Sequence, residues 1–374
     1  MVASVASMIG SFNRNNIAIM QDMGYEVHVA CNFKDISVWP KDRIKDFVRQ
    51  LNDIKVHYHQ VDFSRSPKNV KKVGRSFLQV DTLVSKFDFD FVHCHTPLAS
   101  AIVRVICHRR GVKVIYTAHG FHFYDGAPVK NWLLYYPVEK WLSRFTDILI
   151  TINREDYRRA KEKFHAGKTV YVPGVGIDME KFRCGLASRQ DKRKGLGLSE
   201  DDVMLLSVGE LSPRKNHKAA VRAIAKFQDI HMHYFIAGQG EMETEMDGFV
   251  RQLGLDGQVH LLGYRTDILE LCQAADLFVF PSLQEGLPVA LMEAIACKTL
   301  AICSNIRGNT DLISDSRFLF DAKEIDSIRR CMEYALRLGK GGKESAVDTN
   351  YRHLRAFSLK SVSRRMEEIY VMPN

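Results

Sequence analysis

No run of apolar residues in this chain reaches the ~18–20 needed to cross a bilayer, so a pattern of membrane-spanning helices is excluded. None of the eight cysteines stands in a C-x-x-C pair, and no zinc signature, Walker A motif or Asp-x-Asp motif is present. Most cysteines sit in apolar context and read as reduced core residues of a cytosolic protein. His93-Cys94-His95 comes nearest to a metal cluster, but neighbouring strand residues point to opposite faces, so three ligands cannot converge there. No metal and no other cofactor is expected. Gly238-Gln239-Gly240 lacks the third glycine of a dinucleotide fingerprint. There is no internal repeat and no low-complexity tail. The opening, MVASVASMIGSFN, lacks the basic region of a signal peptide and reads as a short or clipped strand running into a loop.

What is present is ordinary globular material. The chain has 374 residues, 46% hydrophobic and 26% charged, enough for two domains with separate cores. The net charge of +9 is uneven: residues 1–180 carry 26 Lys and Arg against 18 Asp and Glu. A solvated face is the commonest meaning of such an excess. An anionic membrane surface is the second reading, and nucleic acid has only the charge behind it.

Strand and helix patterns alternate throughout, the mark of parallel sheets covered by helices on both faces. In the first half EVHVAC (26–31), IKVHYHQVDF (54–63), FDFVHCH (89–95) and VKVIYTAHG (112–120) read as strands, and DILITIN (147–153) closes the series. A basic amphipathic helix is predicted within 64–86 and an aromatic-rich one over 131–145. The second half restarts with VMLLSVGEL (203–211), then HYFIAGQGE (233–241), QVHLLGY (258–264), DLFVFPS (276–282) and TLAICSN (299–305). The polar tract 185–197 reads as a loop and the Gly- and Lys-rich tract 339–350 as a mobile one. An amphipathic helix ends the chain.

One stretch carries most of the chemistry: DLFVFPSLQEGLPVALME, 276–293. A buried strand ends at Pro281 and Ser282, Gly286 opens a loop, Pro288 stands at a first helical position, and an apolar helix follows. A helix start behind such a loop offers backbone N–H groups and a positive dipole end to a phosphate. Glu285 and Glu293 bracket it: Glu285 lies in the loop just before the helix, and Glu293 lies five residues past Pro288, about 7–8 Å along the helix axis. Glu285 is read either as a helix cap or as a sugar ligand. For Glu293 the surface reading is weak: Leu291, Met292, Ala294 and Ile295 surround it, and an unpaired buried carboxylate is costly.

The two glutamates, with seven residues between them within PSLQEGLPVALMEA, resemble the signature of the family 4 glycosyltransferases. That resemblance implies the α/β GT-B fold: two Rossmann-like domains, parallel sheets facing a cleft, and a C-terminal helix crossing back to the first domain. The expected division is 1–175, plus about 357–374, for the acceptor, and 176–356 for the nucleotide sugar. VYVPGVGIDMEKF (170–182) resembles the family's interdomain linker.

The resemblance further implies retaining transfer of a hexose or N-acetylhexosamine, without metal, from a nucleotide sugar such as a UDP-sugar. VGEL and AHGFHFY are similar to bacterial capsule and exopolysaccharide enzymes, whose acceptors include polyprenyl-diphosphate-linked sugars. A cytoplasmic enzyme at the inner face of the membrane would follow, with the donor and a glycan or lipid-linked acceptor as partners. Rival readings are a UDP-sugar 2-epimerase of the same fold and a decayed basic binding scaffold.

Motifs at strand C-terminal ends supply the expected site residues. Lys215, aided by Arg214, and the amides of Gly286 and Leu287 would hold the diphosphate. Glu285 would orient the hexose and Glu293 the ribose. Tyr264 and Arg265, in GYRTD, would lie by the nucleobase. Gly10, in the segment after strand one, would let backbone approach phosphate. His119 would stabilise the reaction centre, with His95 and His122 on the acceptor side. The family's usual arginine after V-G is Glu210 here, the sharpest departure from the pattern.

Overall fold

The computed structural model describes residues 1–182, 189–227 and 231–371. The chain divides into two compact units, Met1–Gly176 with Lys360–Asn374, and Ile177–Leu359.

The first unit holds a seven-stranded, wholly parallel sheet. In chain order its strands are β1 (Val2–Val5), β2 (His28–Asn32), β3 (His57–Gln60), β4 (Phe91–His95), β5 (Lys113–Ala118), β6 (Ile148–Thr151) and β7 (Lys168–Tyr171). Their spatial order is β3-β2-β1-β4-β5-β6-β7. The central strands are buried on both faces, as near-continuous apolar runs require. The series does not close at DILITIN: Lys168–Tyr171 pairs in register with Ile148–Thr151 and overlaps the first residues of the stretch that resembles a linker. The segment after β1 is a helix, Ala6–Phe12, rather than a loop. Gly10 sits within it, and a Cβ there would lie 2.4 Å from Trp39. Its missing side chain makes room for an indole, not for a phosphate.

The final helix, Leu359–Val371, buries Val362, Met366, Ile369 and Tyr370 in the same core as Ala3, Ile9 and Ile150. The aromatic-rich helix, Val129–Leu142, turns Trp132 and Tyr136 toward the other core. Its Glu139 accepts from buried Arg104 at 2.9 Å, and the guanidinium lies 4.2 Å over the Tyr116 ring. Removing one partner of such a pair costs ~3–5 kcal/mol.

The second unit holds six parallel strands: β8 (Val203–Val208), β9 (Met232–Ala237), β10 (Val259–Gly263), β11 (Leu277–Phe280), β12 (Ala301–Ser304) and β13 (Leu319–Phe320). Their order is β10-β9-β8-β11-β12-β13. The two-residue β13 is too short to leave a periodicity in the sequence. Two expected loops are helical. Residues 189–195 form a helix whose buried Arg193 donates to the Ala274 carbonyl and to Asp276; residues 185–188 of that expected loop lie outside the described residues. The tract expected to be mobile falls in the helix Lys340–Leu354, which packs on the helix Val289–Ala296 and buries Asn350 and Leu354. Tertiary burial overrides its weak local propensity.

In each unit the strand order reverses at the centre, between β1 and β4 and between β8 and β11. Open parallel sheets bind ligands at the C-terminal ends of strands at such a switch point. In the second unit this juxtaposes the segments after β8 and β11, residues 209–216 and 281–288.

Candidate active site

The two segments meet on one carboxylate. Glu285 is buried, and its Oε1 accepts from Lys215 Nζ at 2.7 Å and from Arg214 at 3.0 Å. Arg214 also donates to the Gln284 carbonyl at 3.0 Å, and its own carbonyl accepts from the Leu283 amide at 2.8 Å. Lys215 lies 4.7 Å over the Phe280 ring. Burial lowers its pKa, and the Glu285 charge opposes that shift. Arg214, by contrast, is 42% exposed at its side chain.

The loop that carries Glu285 is braced from behind. Buried Arg307 donates through Nε to the Glu285 carbonyl at 3.1 Å. Gly308, at φ +79°, approaches so closely that a Cβ would stand 2.4 Å from the Gly286 oxygen. Ser304 donates to the Ser282 carbonyl at 2.5 Å. The stretch 305–311, NIRGNTD, thus acquires a role that its sequence does not announce. So does Asn216, in a left-handed conformation at φ 56°: its side chain donates to the carbonyls of Pro281 and Ala322 and fixes the turn bearing Lys215. The GQG turn serves backbone packing: a Cβ at Gly240 would lie 2.3 Å from the Leu211 carbonyl oxygen.

The amides of Gly286 and Leu287 donate no hydrogen bond among the described residues. They stand just ahead of the helix Val289–Ala296, whose N-cap is Pro288 with extended backbone. Proline therefore caps the helix instead of opening it. Glu293, on that helix, is half-buried, and its carboxylate makes no hydrogen bond among the described residues. Burial raises its pKa, and Lys181 moderates the rise.

Tyr264 is exposed, and Arg265 is held by a two-point ion pair to Asp267, with Nε 2.7 Å from Oδ1. Glu210 is exposed; Lys215 and Arg214 are the cations paired with the Glu285 carboxylate, while Arg307 meets the same loop at its backbone.

In the first unit the imidazoles form a chain. His93 joins Tyr370 at 2.9 Å and Thr117 at 2.8 Å, and His95 Nδ1 lies 3.0 Å from His119 Nε2. His93 and His95 share one face of β4, two residues apart, with Cys94 on the other. Burial pushes the pKa of His119 down to about 4 and those of His93 and His95 well below the usual value. All three are neutral at pH 7. His95 and His119 line a pocket with Asn13, Thr117 and Ile150. His122 lies apart, stacked on Tyr135 at 4.5 Å. Gly10 belongs to the core beneath Trp39.

A rigid, amide-lined loop beside two cations suits an anionic group, and paired Rossmann-like units with such a loop define the GT-B class of sugar-transferring enzymes. Residues 188–352 match the family model described as glycosyl transferases group 1, and residues 9–174 match the glycosyl transferase 4-like domain. The chain is 36% identical over 343 residues to glycosyltransferase EpsD of Bacillus subtilis, covering 87% of this chain and 86% of that one. It is 31% identical over 262 residues to the Escherichia coli UDP-Gal:alpha-D-GlcNAc-diphosphoundecaprenol alpha-1,3-galactosyltransferase, covering 68% of each. The Anabaena protein Alr3699/HepE, solved with UDP, shares the fold at a TM-score of 0.76 and 17% identity over 99% of both chains. The chain belongs to the family 4 glycosyltransferases of the GT-B fold.

Proposed function

We propose that this enzyme transfers a hexose or N-acetylhexosamine from a UDP-sugar, with retention and without a metal, to a polyprenyl-diphosphate-linked or glycan acceptor in exopolysaccharide or capsule synthesis. One observation carries the reading. Lys215 and Arg214 converge on the Glu285 loop, next to the undonated amides of Gly286 and Leu287. Developing charge on a departing diphosphate would meet two cations and preorganised N–H groups, which is how such leaving groups are stabilised. Glu285, already oriented by both cations, is assigned to the sugar hydroxyls. Glu293 is assigned to the ribose, and Tyr264 and Arg265 to the nucleobase edge. His119 takes the reaction-centre role that the resemblance implies, as a neutral imidazole positioned by His95. The E. coli relative's named substrate, a diphosphoundecaprenol-linked sugar, supports a lipid-linked acceptor.

Peripheral contact with an anionic membrane surface, at its inner face, belongs to the same proposal. The helix Val129–Leu142 exposes Val129, Leu133, Leu134, Tyr135, Val138 and Trp141, with exposed Lys130 among them. Its one acid, Glu139, is buried on Arg104. An apolar face of this kind with basic neighbours suits a headgroup boundary. No helix of the described residues is long and apolar enough to cross a membrane.

The test is a thermal-shift screen with UDP-, GDP- and ADP-sugars, followed by product analysis with lipid-linked acceptors. UDP-sugars should stabilise the wild type and fail to stabilise Lys215→Ala. Equal stabilisation of that variant would remove the diphosphate from this loop. A free epimerised sugar nucleotide as product would replace transfer by epimerisation.

A further inference from the structure

The first unit carries a second cluster of chemistry-bearing side chains, at the opposite ends of the strands from His95 and His119. Glu26 precedes β2 by two residues, His28 opens β2, and His57 opens β3. The strands are parallel, with His28 directly opposite His57 and Ala30 opposite His59. A period of two therefore places Glu26, His28, His57 and His59 on one face of the sheet edge.

The side chains converge as that placement requires. Glu26 Oε1 lies 2.9 Å from His57 Nε2 and 3.4 Å from His28 Nε2. One ligand atom from each of these residues falls within 4.8 Å of the other two. Three ligands each ~2.0–2.2 Å from a single ion would stand about 3–3.6 Å apart, so the cluster is already near coordination geometry. The second sphere is in place too. His28 Nδ1 lies 2.9 Å from His59 Nε2. With Nδ1–H donated to His59, the Nε2 lone pair of His28 faces Glu26 and His57, which is how a metal-ligating imidazole is oriented. Phe87 and Phe89 pack edge-on against the His28 ring, with centroids at 4.6 and 5.2 Å, and hold it in that pose.

We propose that Glu26, His28 and His57 form a binding site for a borderline divalent metal ion of the Zn2+ class, with His59 as the positioning residue behind His28. Two imidazole nitrogens and one carboxylate oxygen are a zinc-type donor set and do not suit Mg2+, which requires oxygen ligands. A fourth position faces water, since His57 and Glu26 are 56% and 71% exposed at their side chains. The ion would tie edge strand β3 to β2, so its effect is on the stability of the first unit. It is independent of the glycosyl-transfer reading, and either can fail without the other.

Isothermal calorimetry and thermal unfolding of the full chain, reduced and metal-free, test it with ZnCl2 and MgCl2. One Zn2+ should bind per chain and raise Tm, while Mg2+ does neither. Because Glu26 and His57 are exposed, Glu26→Gln and His57→Ala should keep the wild-type circular dichroism and metal-free Tm yet lose the Zn2+-dependent shift. His59→Ala should keep the one-to-one stoichiometry and weaken affinity by ~10–100-fold. Zn2+ binding and Tm shift unchanged in the Glu26→Gln/His57→Ala double variant would overturn the proposal, as would no saturable Zn2+ binding by the wild type.

Discussion

Lys215 and Glu285 lie 70 residues apart in sequence, yet Nζ and Oε1 are 2.7 Å apart. The two belong to the segments that leave β8 and β11, neighbours where the strand order of the second sheet reverses. The pair also explains why Glu285 is buried as a carboxylate: its charge is met by Lys215 and by Arg214.

Replacing Lys215 by Ala should lower turnover by ~10²–10³-fold, the usual effect of deleting one preorganised charge donor. Arg214→Ala should cost less, because its side chain is 42% exposed. Steady-state release of the nucleotide product measures both, and wild-type turnover in Lys215→Ala would place the leaving group elsewhere.

Glu293→Ala should weaken UDP-sugar binding by ~10–100-fold, the range expected when a charged group loses one or two hydrogen bonds to ligand. The fold should survive, since the carboxylate makes no hydrogen bond among the described residues and burial already disfavours its charge. Calorimetric titration of the variant with UDP is the measurement; an unchanged Kd rejects the ribose assignment.

Two glycines separate packing from binding. Gly10→Ala forces a Cβ to 2.4 Å from Trp39 and should cost ~1–3 kcal/mol of stability with no change in UDP affinity. Gly308→Ala forces a Cβ against the Gly286 carbonyl oxygen and strains a positive φ, so it should cost both stability and UDP affinity. Denaturant unfolding read beside calorimetry distinguishes them. A Gly308→Ala protein that binds UDP normally would show that the brace does not set the loop.

Acid should destabilise the protein before its carboxylates titrate. Burial lowers the pKa of His119 and His217 from 6.5 to about 4, with Lys215 adding to the shift at His217, and lowers His93 and His95 well below 6.5. The unfolded chain takes up these protons near pH 6.5 and the folded chain does not, so stability is full above that pH and declines from about 6.5 toward 4. Urea midpoints between pH 7.5 and 4.5 should trace the decline, less steeply in His119→Gln. An identical slope in that variant would mean His119 is not buried neutral.

The sequence by itself determined a great deal: the alternation that makes two parallel sheets, the final helix, and the spacing of Glu285 and Glu293 about a helix start. These are local, because period and turn chemistry act over a few residues. Gly10 deceived for the same reason, since a glycine after a strand reads as a loop until Trp39 is seen against it. Likewise, nothing in residues 340–354 reveals the helix surface on which they fold. Only the tertiary structure decided that Lys215 and Arg214 share one carboxylate, that Arg307 and Gly308 hold its loop, and that His95 touches His119. Each of these contacts joins segments that parallel strands keep far apart in the chain, and a crossover brings together side chains that no short window of sequence contains.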